Sequence, residues 1–224
     1  MRVSALDGHR NWAASYDGGP NPLLALETRV VLERLSPLRA SCFLDIACGT
    51  GRWMQRAQQC GSRVFGVDFC PEMLFEASRK PGLAGCLSLA DACHIPFSNG
   101  AADLTLCSFA LGYLPSLQQA MAEMTRVSRR GGRVVVSDLH PSALAAGWTR
   151  SFRSSGQVYE MDHYRQPMAA WEAAAESAGL ALDWCLEAGF AEPEREIFRQ
   201  AGKESSFSEL SRTPALLAMS WIKS

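Results

Sequence analysis

Apolar residues in this chain gather in short runs that alternate with amphipathic stretches, the pattern of strands alternating with helices. Cys42–Ile46 is the first such run and reads as a short buried strand. Arg52–Cys60 follows with helical spacing, and a second apolar run lies at Arg63–Val67. Pro71 opens a helix through Ser78, which Lys80-Pro81-Gly82 ends. Further strands are predicted at Cys86–Ala90, Asp103–Ser108, Arg133–Leu139, Leu180–Glu187 and Leu216–Ile222. Asp103–Ser108 is almost continuously apolar, as a central parallel strand buried on both faces requires. Asn21 caps, and Pro22 opens, a helix over Leu23–Leu35. Another helix, opened by Pro115, carries Leu117, Met121, Met124 and Val127 on one face, and Gly131-Gly132 ends it. A third runs over Pro167–Ala178. Residues 1–20 are polar and turn-rich, and residues 188–213 read as a polar excursion or short helix. The alternation predicts an α/β domain with a doubly wound parallel sheet. Residues 1–224 form one domain, with 1–40 as an N-terminal cap and helix and 140–166 as a substrate lid.

The turn between the first two strands narrows the chemistry. Leu44-Asp45-Ile46-Ala47-Cys48-Gly49-Thr50-Gly51 places two glycines where a strand passes into a helix, and Asp68 ends the next strand, 17 residues after Gly51. Strand, glycine turn, helix, strand and acid make a nucleoside-binding unit. The glycines let backbone approach the ligand, and the acid accepts hydrogen bonds from ribose hydroxyls. A dinucleotide fingerprint needs a third glycine for tight helix–strand packing. Aligned on Gly49 and Gly51, that place holds Met54, which disfavours a nicotinamide-dependent oxidoreductase.

Composition removes several classes. The net charge of −1 leaves no whole-chain footprint for nucleic acid. No apolar run reaches 18 residues, so no membrane span is expected. The N-terminus lacks the apolar core of a signal peptide. None of the eight cysteines has Cys-x-x-Cys spacing, and most sit in or beside apolar runs. They read as small buried hydrophobes in a reducing, cytoplasmic compartment, with no metal site expected. Cys48 and Cys93 fall on ligand loops, as packing residues or accessible thiols.

The acid-x-Ala-x-Gly-x-Gly run of Asp45, Ala47, Gly49 and Gly51 resembles the first motif of class I S-adenosylmethionine-dependent methyltransferases. From about Cys42 to Asp138 the chain is similar to their small-molecule branch, methyltransferase type 11. The resemblance implies a Rossmann-like seven-stranded sheet whose last strand is antiparallel, with S-adenosylmethionine as cofactor. It implies that Ala47, Gly49 and Gly51 face the methionine part and that Asp45 acts near its amino group. Asp68 would hold the ribose, with Phe69 beside the adenine and Met73 packed on sugar or adenine. Asp91 would accept from the adenine amino group, and the Ala92 or Cys93 amide would meet a ring nitrogen. Asp91 as a turn former is the alternative. Ser108 and Phe109 would run beneath the sulfonium. Tyr16 would cover the cofactor carboxylate or merely pin the N-terminus. Arg52 would pair with that carboxylate or be solvated.

Methyl transfer is in-line displacement and needs a base only when the nucleophile must lose a proton. His140, at the end of the Arg133–Leu139 strand, is the first candidate, against a purely capping role. Imidazole changes protonation near neutral pH. His163, in a stretch that crosses the substrate in relatives, is the second, against a surface position. His9 and His94 are not chosen. Trp148, Phe152, Tyr159, Tyr164 and Trp171 cluster in or near the lid and suit a planar or apolar acceptor, or hold the lid to the sheet. The Asn/Asp-Pro-Pro-aromatic motif of amino-methylating enzymes is absent after Asp103–Ser108. The expected function is therefore methyl transfer to the O, C or N atom of a small molecule, by a monomer or homodimer with no nucleic-acid or membrane partner. A relative that uses the cofactor without methylating is the alternative.

Overall fold

The computed structural model describes residues 1–154 and 156–224. In chain order the elements are β1 (Arg2–Val3), α1 (Ala5–Trp12), α2 (Pro22–Leu35), β2 (Cys42–Ile46), α3 (Arg52–Gln59), β3 (Arg63–Asp68), α4 (Pro71–Ser78), β4 (Leu87–Leu89) and β5 (Ala102–Ser108). There follow α5 (Leu117–Val127), β6 (Ser128–Leu139), α6 (Pro141–Ala145), β7 (Ser151–Ser154), β8 (Gln157–Met161), α7 (Met168–Ser177), β9 (Leu180–Ala188), α8 (Glu192–Gln200), α9 (Glu204–Leu210) and β10 (Leu216–Lys223). Single 3-10 turns cover Ala13–Ser15 and Leu111–Tyr113.

Seven strands form one sheet in the order β4-β3-β2-β5-β6-β10-β9. Neighbours from β4 to β6 are parallel, and β10 lies antiparallel between β6 and β9. This is the Rossmann-like, doubly wound sheet expected from the sequence. Strand periodicity explains the burial on both faces. In β6, Val134 and Val136 join one core while Val135 joins the other. In β10, Leu217, Met219 and Trp221 face the first core and Ala218 the second. Helices α5 and α7 cover one face with Met121, Met124, Trp171 and Ala174. Helices α2 and α3 cover the other with Val31, Leu35, Trp53 and Met54. Asn21 accepts from the Leu23 and Leu24 amides, so α2 starts at the cap its sequence offers.

Three stretches hold more regular structure than the sequence pattern specified, residues 188–213 taking the helical alternative. Residues 1–20 hold a strand and a helix rather than turns: Ser4 caps α1 by accepting from the Asp7 amide. The 140–166 segment contains α6 and the β7–β8 pair, and β1 adds to β8 in parallel register, Arg2 opposite Glu160. Residues 188–213 fold as α8 and α9, whose Phe198 and Phe207 pack with Leu26 and Val30 of α2. No helix among the described residues is long and apolar enough to cross a membrane.

Candidate functional site

The carboxyl ends of β2, β3, β5 and β6 carry the site, as open α/β sheets dictate. Ala47 and Gly49 both have φ of 54° and Gly51 has 76°. The two glycines face different surroundings. A Cβ on Gly49 would meet nothing within 4 Å, whereas one on Gly51 would stand 2.8 Å from Leu83 Cδ1. Gly49 therefore borders open space, while Gly51 packs on the core behind α3. A left-handed conformation costs a non-glycine residue roughly 1–2 kcal/mol. Gly51→Ala should lower thermal stability by at least that much, because the Leu83 contact adds to it. Gly49→Ala should show only the backbone cost, and unfolding curves compare the two.

Asp68 Oδ2 accepts from the Gly49 amide at 2.7 Å, and Oδ1 accepts from Cys70 N–H at 2.8 Å. Burial pushes its carboxyl up, against the pull of these amide bonds. A carboxylate has about four lone-pair sites, so two remain for a ligand. Next to it Phe69 is 59% exposed, and Leu89 at the end of the neighbouring strand is 62% exposed. These apolar side chains flank the position that the resemblance gives to adenine.

Asp45 provides the test of fit for the cofactor. It is buried, and neither carboxylate oxygen has a hydrogen-bond partner among the described residues. Burial pushes its carboxyl well above the usual range. An unpartnered buried carboxylate calls for a donor or a cation, which an α-ammonium supplies. The residues fit S-adenosylmethionine on this point. With the folded pKa above the unfolded one, Asp45 stabilises the free protein least at neutral pH. Its favourable contribution is complete below the unfolded pKa and is lost as pH rises through the folded value. Asp45→Asn should raise Tm at neutral pH, by about 2–4 °C per kcal/mol regained, and remove the fall in Tm that Asp45 causes as pH rises from its unfolded towards its folded pKa.

Other sequence-predicted residues take different positions. Met73 is buried with Ala13 and Cys70 beneath the N-terminal segment, with Leu6 and Tyr16 against them, rather than exposed to a ligand. Tyr16 lies half-buried against Trp12, and burial pushes its phenol up. Asp91 Oδ1 accepts from the Cys93 amide at 2.8 Å, which makes Asp91 a turn former and commits that amide internally. Ala92 and Cys93 are buried, and Cys48 is too. Ser108 Oγ donates to Glu27, and Phe109 has φ of 53° at the cavity wall. Arg52 pairs with buried Glu27 and donates to Thr28 Oγ1 at 2.9 Å, so its charge is met within the fold.

Neither chosen histidine presents a free nitrogen to a pocket. The Ser142 amide donates to His140 Nδ1 at 3.0 Å, which leaves the hydrogen on Nε2, 2.8 Å from Glu187 Oε2. His140 is the buried cap of α6. His163 Nδ1 sits 3.2 Å from the Met161 carbonyl oxygen, and its Nε2 is buried without a partner. Of the aromatic cluster, Phe152 stacks between Trp12 and Tyr159, and Trp148 stacks on Phe190. Trp171 belongs to the core, and Tyr164 is exposed.

Two features were missed. Glu27, from α2, lies fully buried and accepts from Arg52, Trp53 Nε1, Ser108 and Ser137. Arg150 pairs with buried Asp138, and its guanidinium lies 4.7 Å from the Tyr113 ring centroid. Arg150 lines a cavity of about 970 Å³ between the N-terminal segment, the 147–153 stretch and α8. Trp12, Trp148, Phe152 and Phe190 line it as well, and so do Arg153 and Lys203. No Asp or Glu lines it among the described residues.

Comparison with known proteins agrees with the fold. The family described as "Methyltransferase domain" matches residues 44–136. Malonyl-[acyl-carrier protein] O-methyltransferase of Hamiltonella defensa is 33% identical over 123 residues, 54% of this chain and 47% of that protein. Demethylmenaquinone methyltransferase of Thermobifida fusca is 30% identical over 156 residues, 62% of this chain and 64% of that protein. The chain thus spans about half the length of the first relative and under two thirds of the second. The crystal structure of an S-adenosylmethionine dependent methyltransferase from Mesorhizobium loti superposes with a TM-score of 0.69 at 20% identity, covering 91% of this chain and all of that one. With motif, sheet order and matched span in agreement, residues 44–136 match the methyltransferase domain family, and the chain has the fold of S-adenosylmethionine-dependent methyltransferases.

Proposed function

We propose that this protein methylates a small, largely apolar acceptor that is neutral or anionic. The observation that carries the proposal is the pairing of two environments. Asp45, Asp68 and the open face of Gly49 lie at the strand ends, and Phe109, directly after β5, walls an aromatic cavity with no carboxylate among its described lining residues. Bound S-adenosylmethionine would supply an activated methyl group on a sulfonium sulfur. Asp68 would accept from the ribose hydroxyls, Phe69 and Leu89 would flank the adenine, and Asp45 would meet the ammonium. Asp91 keeps Oδ2 for the adenine amino group, and Tyr16 closes the methionine end.

The chain's own contribution is alignment. Holding an acceptor in line can supply roughly 7–11 kcal/mol of the barrier. Trp12 stacked on Phe152 and the Trp148–Phe190 pair offer flat apolar walls for that purpose. Arg153 and Lys203 at the cavity favour an acceptor with a negative or polar tail. A cationic amine would find no carboxylate there, so oxygen or acidic carbon is the favoured nucleophile. Residues 140–166, with β1 paired to β8, serve as the lid over this acceptor.

Calorimetric titration with S-adenosylhomocysteine and with NAD tests the cofactor, the first expected to bind and the second not. A metabolite-extract screen for methyl incorporation tests the reaction. Binding of S-adenosylhomocysteine without any methylated product would favour a non-methylating relative.

A further inference from the structure

His9 sits on α1, a helix that the sequence pattern hid, and is one of the residues lining the cavity. Its Nδ1 is 2.8 Å from the Ala5 carbonyl oxygen. A carbonyl only accepts, so Nδ1 carries the hydrogen. In the neutral ring Nε2 then holds the lone pair, and it makes no hydrogen bond among the described residues. The ring is fixed edge-on against Tyr113, centroids 4.9 Å apart. Of the four histidines in the chain, His9 alone is among the described residues lining this cavity. His140 is engaged at both nitrogens, His163 leaves Nε2 without a partner but is not among the residues lining the cavity, and His94 lies beside Gln119 on the surface.

We propose that His9 is the general base of this protein, its Nε2 taking the proton that an acidic O–H or C–H acceptor loses on methylation. The proposal rests on the methyltransferase reading above. As the acceptor's oxygen or carbon bonds to the methyl carbon, its proton passes to Nε2. The electron pair of the broken carbon–sulfur bond stays on sulfur. The ring becomes an imidazolium, and its Nδ1–H remains on Ala5.

The alternatives in the cavity are weaker bases. No carboxylate lines it among the described residues, and burial pushes the Tyr113 phenol up to about 12, which makes it a donor at neutral pH. Burial lowers the His9 pKa, so the ring is neutral at physiological pH. The charged and titratable groups turned to it are Asp68 at the end of β3, Arg150 and Tyr113. Asp68 raises the His9 pKa and Arg150 lowers it. On α1 itself, Arg10 pairs with Asp7 and with Glu72 of α4. On β7, Arg153 donates to the Gly156 carbonyl.

The test has two arms on the full chain. In the first, ring ¹⁵N shifts are followed against pH, with His9→Gln to assign the signals. The expected result is a neutral ring with hydrogen on Nδ1 and a midpoint below the ordinary histidine value of about 6.5. Hydrogen on Nε2, or an ordinary midpoint, overturns the proposal. In the second, 2-naphthol, an apolar phenol, is the acceptor probe. His9→Gln should lower turnover by about 10²–10⁴-fold while S-adenosylhomocysteine affinity stays within a few-fold. The wild-type rate should rise with pH through the His9 midpoint, and that limb should be missing from His9→Gln but kept in His140→Gln. Equal rates and an unchanged limb in His9→Gln overturn the base while leaving the methyltransferase reading intact. Should the wild type turn over no 2-naphthol, the ring tautomer and midpoint decide alone.

Discussion

Asp68→Ala is expected to weaken S-adenosylhomocysteine binding by about 10²–10⁴-fold, measured by calorimetry on the folded variant. Two charge-assisted bonds from ribose hydroxyls are each worth roughly 1.5–3 kcal/mol. The truncation also removes the acceptor of the Gly49 and Cys70 amides. Leaving buried amides unpaired costs about 1–3 kcal/mol apiece, so stability should fall as well. Asp68→Asn separates the two effects. It keeps an acceptor for one amide and removes the charge, so most of the affinity loss should persist with a smaller stability loss. Unchanged affinity in either folded variant would mean that the ribose lies elsewhere.

Glu27→Ala is expected to give the largest stability loss, about 3–5 kcal/mol in urea unfolding, the usual cost of stranding one partner of a buried ion pair. Glu27 is fully buried, and the Arg52 side chain is 17% exposed. Removing the carboxylate also strands Trp53 Nε1 and the hydroxyls of Ser108 and Ser137. Because those hydroxyls sit at the carboxyl ends of β5 and β6, the network ties α2 to the floor of the site. The double replacement Glu27→Leu with Arg52→Met should recover much of the loss, since a packed apolar pair needs no desolvated charge. A Glu27→Ala cost below about 1 kcal/mol would show that solvent reaches the network and that Arg52 is free to turn to a ligand.

The βαβ core was legible because its signals are local. Cys42–Ile46 and Pro71–Ser78 fall where the sequence places them, and the other sheet strands differ by a few residues at their ends. Strand periodicity, proline at helix starts and glycine at turns act over a few residues and need no knowledge of the rest of the chain. Residues 1–20 resisted the same treatment. Gly8 interrupts the helical pattern of α1, and its purpose is visible only in three dimensions: a Cβ there would collide with Met161 of β8. The short β1 is likewise defined by a partner at residues 160 and 161. Polar residues 188–213 hide two helices because Phe198 and Phe207 find their apolar surface on α2, far away in sequence.

By itself, then, the amino-acid sequence determined the strand–helix alternation, the glycine turn with its two acids, the family resemblance and the cofactor class, all carried by residues close together in the chain. The tertiary structure alone decided which side chains face the acceptor. His140 met a backbone amide and Glu187 and became a cap, whereas His9 was brought by α1 to the cavity wall with one nitrogen free. Glu27 reached Arg52, Ser108 and Ser137 across 25, 81 and 110 residues of chain. A hydrogen bond or a cavity wall is a relation between distant segments, and packing sets that distance, which no local pattern of residue types encodes.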